Sequence, residues 1–160
     1  LIHSIQNAHG KPRTARKRRS DRLRTPLTRN SVTAVSFLKC DNILASSGAT
    51  DGLVKFWDLR KMNSERNIIC LPESCDTSSR SYGITSIAED CNGSRLAVSY
   101  YNNTIYMYDC LRPEKGPLHT YKGHSIGSFY IKLTFSPDGT HLLSGSSDAN
   151  AYIWQVDRPE

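Results

Sequence analysis

Histidine, serine and aspartate side chains, the residue types that many hydrolases use for nucleophilic catalysis, recur in this 160-residue sequence at regular spacing. His124, Ser144 and Asp148 are the types that could pass a proton between a hydroxyl, an imidazole and a carboxylate. Ser47 and Asp51 repeat the serine and the aspartate, and in both places a tryptophan follows the aspartate by six residues. Because this spacing repeats along the chain, it favours a structural role over a catalytic triad.

A buried indole N–H needs an acceptor, and a buried imidazole needs partners for both nitrogens. A middle copy of the pattern has Asn103 and Tyr108 at the aspartate and tryptophan positions. No nucleophile elbow, Gly-rich phosphate loop or metal-ligand cluster is visible, and we expect neither an enzyme nor a cofactor or metal.

The segments that carry these residues have a periodicity of two, which is typical of β-strands. The aromatic residues Trp57, Tyr108 and Trp154 end three such groups of segments and lie 51 and 46 residues apart. Short strands joined by turns at this period predict an all-β chain built from the four-stranded sheets of a propeller.

The turns and strand ends resemble those of the WD40 family. Gly123-His124 matches its repeat-opening pair, residues 135–139 (Phe-Ser-Pro-Asp-Gly) its inner turn, and residues 56–58 (Phe-Trp-Asp) its strand end. The resemblance implies a buried, hydrogen-bonded tetrad of histidine, serine, aspartate and tryptophan. In the last repeat its members would be His124, Ser144, Asp148 and Trp154. In the first they would be Ser47, Asp51 and Trp57, with His9 as the candidate histidine, whereas the middle repeat is expected to lack a complete tetrad. Three repeats do not close a ring of four to eight blades, so we predict part of a propeller, about three blades plus the end of a preceding one.

This interpretation divides the chain into seven segments. We expect a last strand of a preceding blade at 1–9, a mobile basic insertion at 10–30, a blade at 31–60, a loop at 61–79, a degenerate blade at 80–110, a connection at 111–121 and a blade at 122–157.

The net charge of +6 comes from one segment. Residues 11–29 hold nine basic residues and one acidic residue, whereas the rest of the chain holds 12 basic and 14 acidic residues. The segment has few apolar residues and predicts a mobile nuclear-import signal, with nucleic-acid contact or a merely solvated insertion as the alternatives. It lacks aromatic residues for base stacking, which counts against single-strand binding. The import candidates are Lys11, Arg13, Arg16, Lys17, Arg18 and Arg19.

Composition favours a soluble intracellular chain. Apolar residues make up 38% and charged residues 22%, and no stretch approaches the roughly 20 apolar residues of a membrane span. The five cysteines are odd in number and include no Cys-x-x-Cys pair, which predicts reduced thiols and no zinc site.

Trp57-Asp58-Leu59-Arg60 resembles the box by which WD40 substrate receptors dock onto the damage-specific DNA-binding adaptor of cullin-4 RING ubiquitin ligases. Arg60 would lie just past a strand end, where a planar guanidinium can make bidentate contacts that lysine cannot copy. Arg60 is therefore the expected contact, and Trp57 is expected to pack inside the sheet. The alternative is an ordinary strand end followed by a solvated arginine.

The wider pattern resembles the denticleless-type receptors within that group. It rests on the basic insertion, on the box followed by Lys61, and on residues 105–108, 128–132, 144–148 and 151–154. The resemblance implies a nuclear, non-catalytic adaptor that presents proteins bound to the sliding clamp PCNA for polyubiquitination, in S phase and after DNA damage. The implied substrates include a replication-licensing factor, a cyclin-dependent kinase inhibitor and a histone H4 methyltransferase.

The residues that would bind a substrate are left unranked by the sequence. Arg80, Tyr82, Tyr100, Tyr101 and the stretch 124–130 are candidates. A different class of function also stays open, a WD40 scaffold of chromatin or RNA processing whose basic loop touches nucleic acid.

Overall fold

A computed structural model describes residues 4–5, 8–9, 31–39, 42–60, 65–69 and 83–158. They form three antiparallel sheets, and each sheet is built from strands that follow one another in the chain. The all-β fold expected from the period-two segments is confirmed.

The strands are short, and each sheet is a simple meander. Sheet 1 contains β1 (Val32–Leu38), β2 (Ile43–Gly48), β3 (Val54–Asp58) and β4 (Glu65–Ile69); sheet 2 contains β5 (Ile84–Glu89), β6 (Arg95–Tyr100), β7 (Thr104–Asp109) and β8 (His119–Tyr121); sheet 3 contains β9 (Leu133–Phe135), β10 (His141–Gly145) and β11 (Ala151–Gln155). A single 3-10 turn, Pro113–Lys115, lies between β7 and β8.

Two strands lie in segments that the sequence analysis assigned to connections. Strand β4 lies within 61–79 and pairs with β3, and β8 lies within 111–121 and pairs with β7. The three residues of β8 are too few to show an alternation, and β4 reads Glu-Arg-Asn-Ile-Ile, which does not alternate. Strands β4 and β8 are the fourth strands of sheets 1 and 2.

Sheet 2 is buried on both faces. On β6, Leu96 and Val98 pack in the core shared with sheet 1, whereas Ala97 packs in the core shared with sheet 3. On β7, Tyr106 packs in the core shared with sheet 1 and Ile105 packs in the core shared with sheet 3. Successive strand residues point to opposite faces, so one strand supplies both cores. Phe37 on sheet 1 and Ile153 on sheet 3 are instead exposed.

A small polar motif repeats between sheets 1 and 2. The Thr33 hydroxyl donates to the Ser47 carbonyl and lies 3.0 Å from the Ser47 hydroxyl. Thr85 makes the same two contacts with Ser99, at 3.3 and 3.1 Å. Both threonines sit at a break in strand register. The middle repeat is therefore the same structural unit as the first, although it lacks the tryptophan.

Candidate docking site and buried polar sets

The end of strand β3 holds one exposed arginine on a buried carboxylate. Asp58 is the last residue of β3, and its side chain is only 3% exposed. One carboxylate oxygen accepts the backbone N–H of Arg60 at 3.0 Å and lies 3.4 Å from the Arg60 Nε. The Arg60 side chain is 59% exposed. Asp58 thus orients the guanidinium while leaving most of it accessible.

The three residues predicted to form the docking box differ in exposure: two are buried and one is exposed. Trp57 is buried, and its indole N–H donates to the Ser46 hydroxyl at 2.9 Å. Asp58 is also buried. Of the three, only Arg60 has an exposed side chain.

A second corner of the same kind follows β7. The Asp109 carboxylate accepts the backbone N–H of Leu111 at 2.8 Å, and its other oxygen lies 3.6 Å from the Arg112 Nε. The docking-box pattern does not reveal this pair, because Tyr108 replaces the tryptophan and the arginine comes one residue later. The signal that finds it is an aspartate directly after the aromatic end of a strand.

The polar set of sheet 1 is fully connected. Nδ1 of His9 lies 2.7 Å from a carboxylate oxygen of Asp51, and Nε2 lies 2.9 Å from the hydroxyl of Ser46. The same hydroxyl accepts the indole N–H of Trp57. If Nδ1 carries the proton, His9 donates to Asp51 and accepts from Ser46, and every one of these polar groups is paired. His9 therefore supplies the histidine across a long sequence separation.

The contacts run from serine to histidine to aspartate, as in a catalytic triad, but the Ser46 hydroxyl is not accessible to a substrate. Ser46 is buried, and its oxygen already contacts both the imidazole and the indole. A nucleophile must reach a substrate carbonyl. The set instead ties the β2–β3 sheet to the segment that carries His9.

The serine of this set is Ser46, and the prediction of Ser47 is wrong. Ser47 points to the other face, where its hydroxyl contacts Thr33 and Ala34. Ser46 pairs across the sheet with Lys55, which lies two residues before Trp57 and therefore on the same face. Six residues separate the last paired positions of β2 and β3, whereas five separate those of β10 and β11. Counting back from the aspartate by the same number of residues therefore selects the wrong serine in sheet 1.

Of the four residues predicted for the later set, His124 and Trp154 are in ring contact, but no hydrogen bond joins any two of the four. The Trp154 indole donates to the Lys122 carbonyl at 3.2 Å, and the Ser144 hydroxyl donates to the Gly145 carbonyl. Asp148 accepts the Tyr152 hydroxyl at 2.7 Å. Tyr152 occupies the position in sheet 3 that Lys55 occupies in sheet 1. Its hydroxyl donates to the carboxylate to which a histidine would otherwise donate.

His124 is left with ring contacts only. Its ring meets that of Trp154 edge-on, with centroids 5.3 Å apart. The residue is buried, and neither ring nitrogen has a hydrogen-bond partner among the described residues. Burial lowers the pKa of the His124 imidazole, and the negative charge of Asp148 acts weakly in the opposite direction.

We expect the chain to lose stability as the pH falls below about 6.5, the ordinary histidine pKa, in part because of His124. Its folded-state pKa is lowered, so the unfolded state binds more protons in this range. The stabilisation is complete above the unfolded pKa and is lost as the pH falls through the folded one. His124→Phe keeps the ring contact with Trp154 and should flatten the change in urea midpoint between about pH 7.5 and about pH 5.5. An unchanged slope in the variant would contradict this role.

The middle repeat has no equivalent set. Tyr108 is buried in the core between sheets 1 and 2. The side-chain carbonyl of Asn103 accepts the backbone N–H of Ile126 at 2.6 Å, so the residue at the aspartate position joins two loops.

Several predicted residues lie outside the described part of the chain. They are the import candidates Lys11, Arg13, Arg16, Lys17, Arg18 and Arg19, and the substrate-site candidates Arg80 and Tyr82. Within the part that is described, no cluster of histidine, cysteine or acidic residues could hold a metal ion. The same residues include no helix with the length and apolar character to cross a membrane.

Comparison with known proteins defines the class of the fold. A family model described as WD domain, G-beta repeat, matches residues 21–58 and 115–155. The β-propeller domain of Cps50 (Swd1) from Myceliophteria thermophila superposes with a TM-score of 0.62 at 17% identity, over 80% of this chain and 36% of that one. The chain is part of a WD40 β-propeller, which confirms the fold expected from the repeats.

Its similarity to particular proteins is more specific. Protein lethal(2)denticleless of Drosophila melanogaster is 40% identical over 165 residues, which cover 98% of this chain and 21% of that protein. The denticleless homolog of Homo sapiens is 34% identical over 169 residues, 99% of this chain and 23% of that protein. This WD40-repeat chain is therefore similar to denticleless proteins over nearly its whole length, as its motifs suggested. It spans about a fifth of the length of these relatives.

Proposed function

We propose that this chain belongs to the substrate-recognition subunit of a cullin-4 RING E3 ubiquitin ligase and that Arg60 contacts the damage-specific DNA-binding adaptor. The observation that carries the proposal is the corner after β3, where a buried Asp58 holds an exposed Arg60. The similarity to denticleless proteins supports the same function.

The corner is suited to docking for a physical reason. A guanidinium offers several N–H donors in a plane and binds carboxylate or carbonyl oxygens in a bidentate manner. Arginine is also among the residues that most often dominate the energy of an interface. Since Asp58 already orients Arg60, less side-chain entropy is lost when a partner binds.

In this function the chain is a non-catalytic scaffold in the nucleus. It would bind substrates on the sliding clamp PCNA and present them for polyubiquitination and degradation in S phase and after DNA damage. Holding a substrate lysine near a charged ubiquitin carrier raises its effective concentration, which is the whole of the rate effect required. The partners are the adaptor, cullin-4 and clamp-bound substrates such as the licensing factor, the kinase inhibitor and the histone H4 methyltransferase.

Capture of the adaptor from cells tests the proposal. The natural full-length polypeptide that carries this chain should capture adaptor and cullin-4, and Arg60→Ala should capture at least about tenfold less, the loss typical of an interface anchor. Arg158→Ala removes another exposed arginine and should bind as the wild type does. The melting temperature of Arg60→Ala should not change, because the side chain is exposed. Equal capture by the wild type and Arg60→Ala would refute the docking role.

The scaffold alternative is favoured by one observation, the concentration of positive charge in residues 10–30. Neutralising Arg16 to Arg19 separates the two functions. In a substrate receptor this change alters localisation and leaves adaptor capture intact. In a nucleic-acid-binding scaffold it abolishes a salt-sensitive binding of nucleic acid, and the wild type captures no adaptor.

A further inference from the structure

Residues 127–131 form a loop that is held in place by neighbouring turns. The hydroxyl of Tyr101 donates to the carbonyl of Gly127 at 2.8 Å, and the N–H of Gly127 donates to the hydroxyl of Ser147 at 2.7 Å. The preceding residue, Ile126, donates its backbone N–H to Asn103. The turns after β6 and β10 therefore fix the loop from two sides before any partner binds.

The loop carries exposed aromatic rings. Phe129 stacks on Tyr101, with ring centroids 5.0 Å apart and planes inclined by 30°. The next residue, Tyr130, is 90% exposed. We call Tyr101, Phe129 and Tyr130 the aromatic shelf. Contiguous exposed apolar rings are uncommon on a protein surface unless they bind something, and tyrosine is enriched among interface anchors.

The aromatic shelf lies where the first strands of the sheets begin. The loop leads directly into β9, and Phe129 lies beside Gly83, the residue before β5. Strand β1 packs beside β5, and β5 beside β9. Gly83 in turn approaches the backbone of Ala49, which follows the last residue of β2. Asp58 pairs with the first residue of β2. The shelf and Arg60 therefore lie at opposite ends of the sheets.

We propose that the aromatic shelf binds an extended, uncharged peptide segment of a substrate protein, with an aromatic or large aliphatic side chain packed against Tyr130 and Phe129. This inference rests on the proposed receptor function and names the surface that such a receptor would use. A partner on the shelf and an adaptor on Arg60 would not compete for space, since they lie at opposite ends. The fixed loop also lowers the entropic cost of binding.

The charges of the aromatic shelf favour a peptide over a nucleic acid. Residues 127–131 and 101–103 include no charged side chain. The ammonium group of Lys132, the next residue, donates to the Thr85 carbonyl at 2.7 Å. A single-strand site combines stacking rings with a basic groove that follows the phosphates. Tyr101 and Phe129 stack on each other, and the neighbouring residues that the structure describes, 101–103 and 127–131, suit a segment without strong charge.

Selection from a phage-displayed library of random dodecapeptides tests the aromatic shelf. The wild-type protein should select peptides that share an aromatic or large aliphatic residue without flanking charges. Tyr130→Ser should weaken their binding at least about tenfold. Because the Tyr130 side chain is almost fully exposed, this variant should fold normally. Leu111→Ser removes a side chain that is 73% exposed after the Asp109 corner, and it should bind like the wild type.

Four results would overturn the proposal. These are a selection without apolar enrichment, equal binding by the wild type and Tyr130→Ser, preferential binding of a fluorescent oligodeoxythymidine, and protection of Tyr130 by self-association of the chain. Adaptor capture is read separately. If the protein captures the adaptor but selects no apolar peptides, the proposal for the aromatic shelf is wrong and the receptor proposal stands. If it selects apolar peptides but does not capture the adaptor, the shelf binds peptides and the proposed ligase function is wrong.

Discussion

Replacing His9 with alanine is expected to lower the free energy of unfolding by about 3 kcal/mol. The change removes both partners of the imidazole and leaves the Asp51 carboxylate and the Ser46 hydroxyl without it. The His9 side chain is fully buried and Asp51 is mostly buried, so water compensates poorly for the lost contacts. Urea-dependent pulse proteolysis of the wild type and the variant measures the difference.

A double-mutant cycle identifies the source of this loss. Ser46→Ala removes the hydroxyl that links His9 to Trp57, so the effects of His9→Ala and Ser46→Ala should sum to clearly more than the effect of the double variant. Ser47→Ala belongs to a different contact with Thr33 and should be additive with His9→Ala. Additivity of His9 with Ser46, or coupling with Ser47 instead, would show that the connected set is not the one described.

Gly83→Ala is expected to be the other severe change, with a loss of about 3 kcal/mol. A β-carbon at this position would lie 2.6 Å from the carbonyl carbon of Ala49 and 3.1 Å from the ring of Phe129. The Ala49 backbone cannot move easily, since its N–H donates to the Ser31 carbonyl. The carbonyl of Gly83 is likewise held by the N–H of Tyr101. The clash would therefore separate sheets 1 and 2, and the urea midpoint should report it.

Gly116→Ala is the comparison in which the expected strain is conformational and not steric. Gly116 has a φ of 87°, which disfavours alanine, but no atom would lie within 4 Å of its β-carbon. Its cost should be about 1 kcal/mol. If Gly83→Ala is no more harmful than Gly116→Ala, the close approach of the two sheets is wrong. Because the Gly83 position contacts Phe129, Gly83→Ala should also weaken peptide binding at the aromatic shelf.

Much of the fold follows from the sequence for a local reason. Two-residue alternation and turn residues act over a few positions, so they predict strands such as β6. The recurrence of Trp57, Tyr108 and Trp154 then indicates that these strands form repeats. The short strand β8 was missed because three residues cannot show a period. The position of Arg60 just past the end of β3 follows from the sequence, because it depends only on neighbouring residues, whereas the contact of Arg60 with Asp58 was not predicted.

The polar sets show where local counting stops being sufficient. The choice of Ser46 over Ser47 depends on the cross-strand register. One extra residue in the turn shifts this register, and the serine chosen by counting then points to the other face of the sheet. The disconnection of His124 depends on Tyr152, whose hydroxyl competes for Asp148. Spacing shows which residue types are available, but it does not show which of two competing side chains forms the hydrogen bond with a shared partner.

By itself, the sequence determined an all-β chain of WD40 repeats, its likeness to denticleless proteins, and an arginine placed just after a buried aromatic strand. Those properties depend on neighbouring residues and on a repeated spacing. The sequence also offered His9 as the candidate histidine of the first set. Only the tertiary structure decided that His9 contacts Ser46, that Tyr101 stacks on Phe129, and that this pair lies at the opposite end of the sheets from Arg60. Each of these joins residues distant in the chain, and which side chains meet is set by register and by the packing of one sheet on the next.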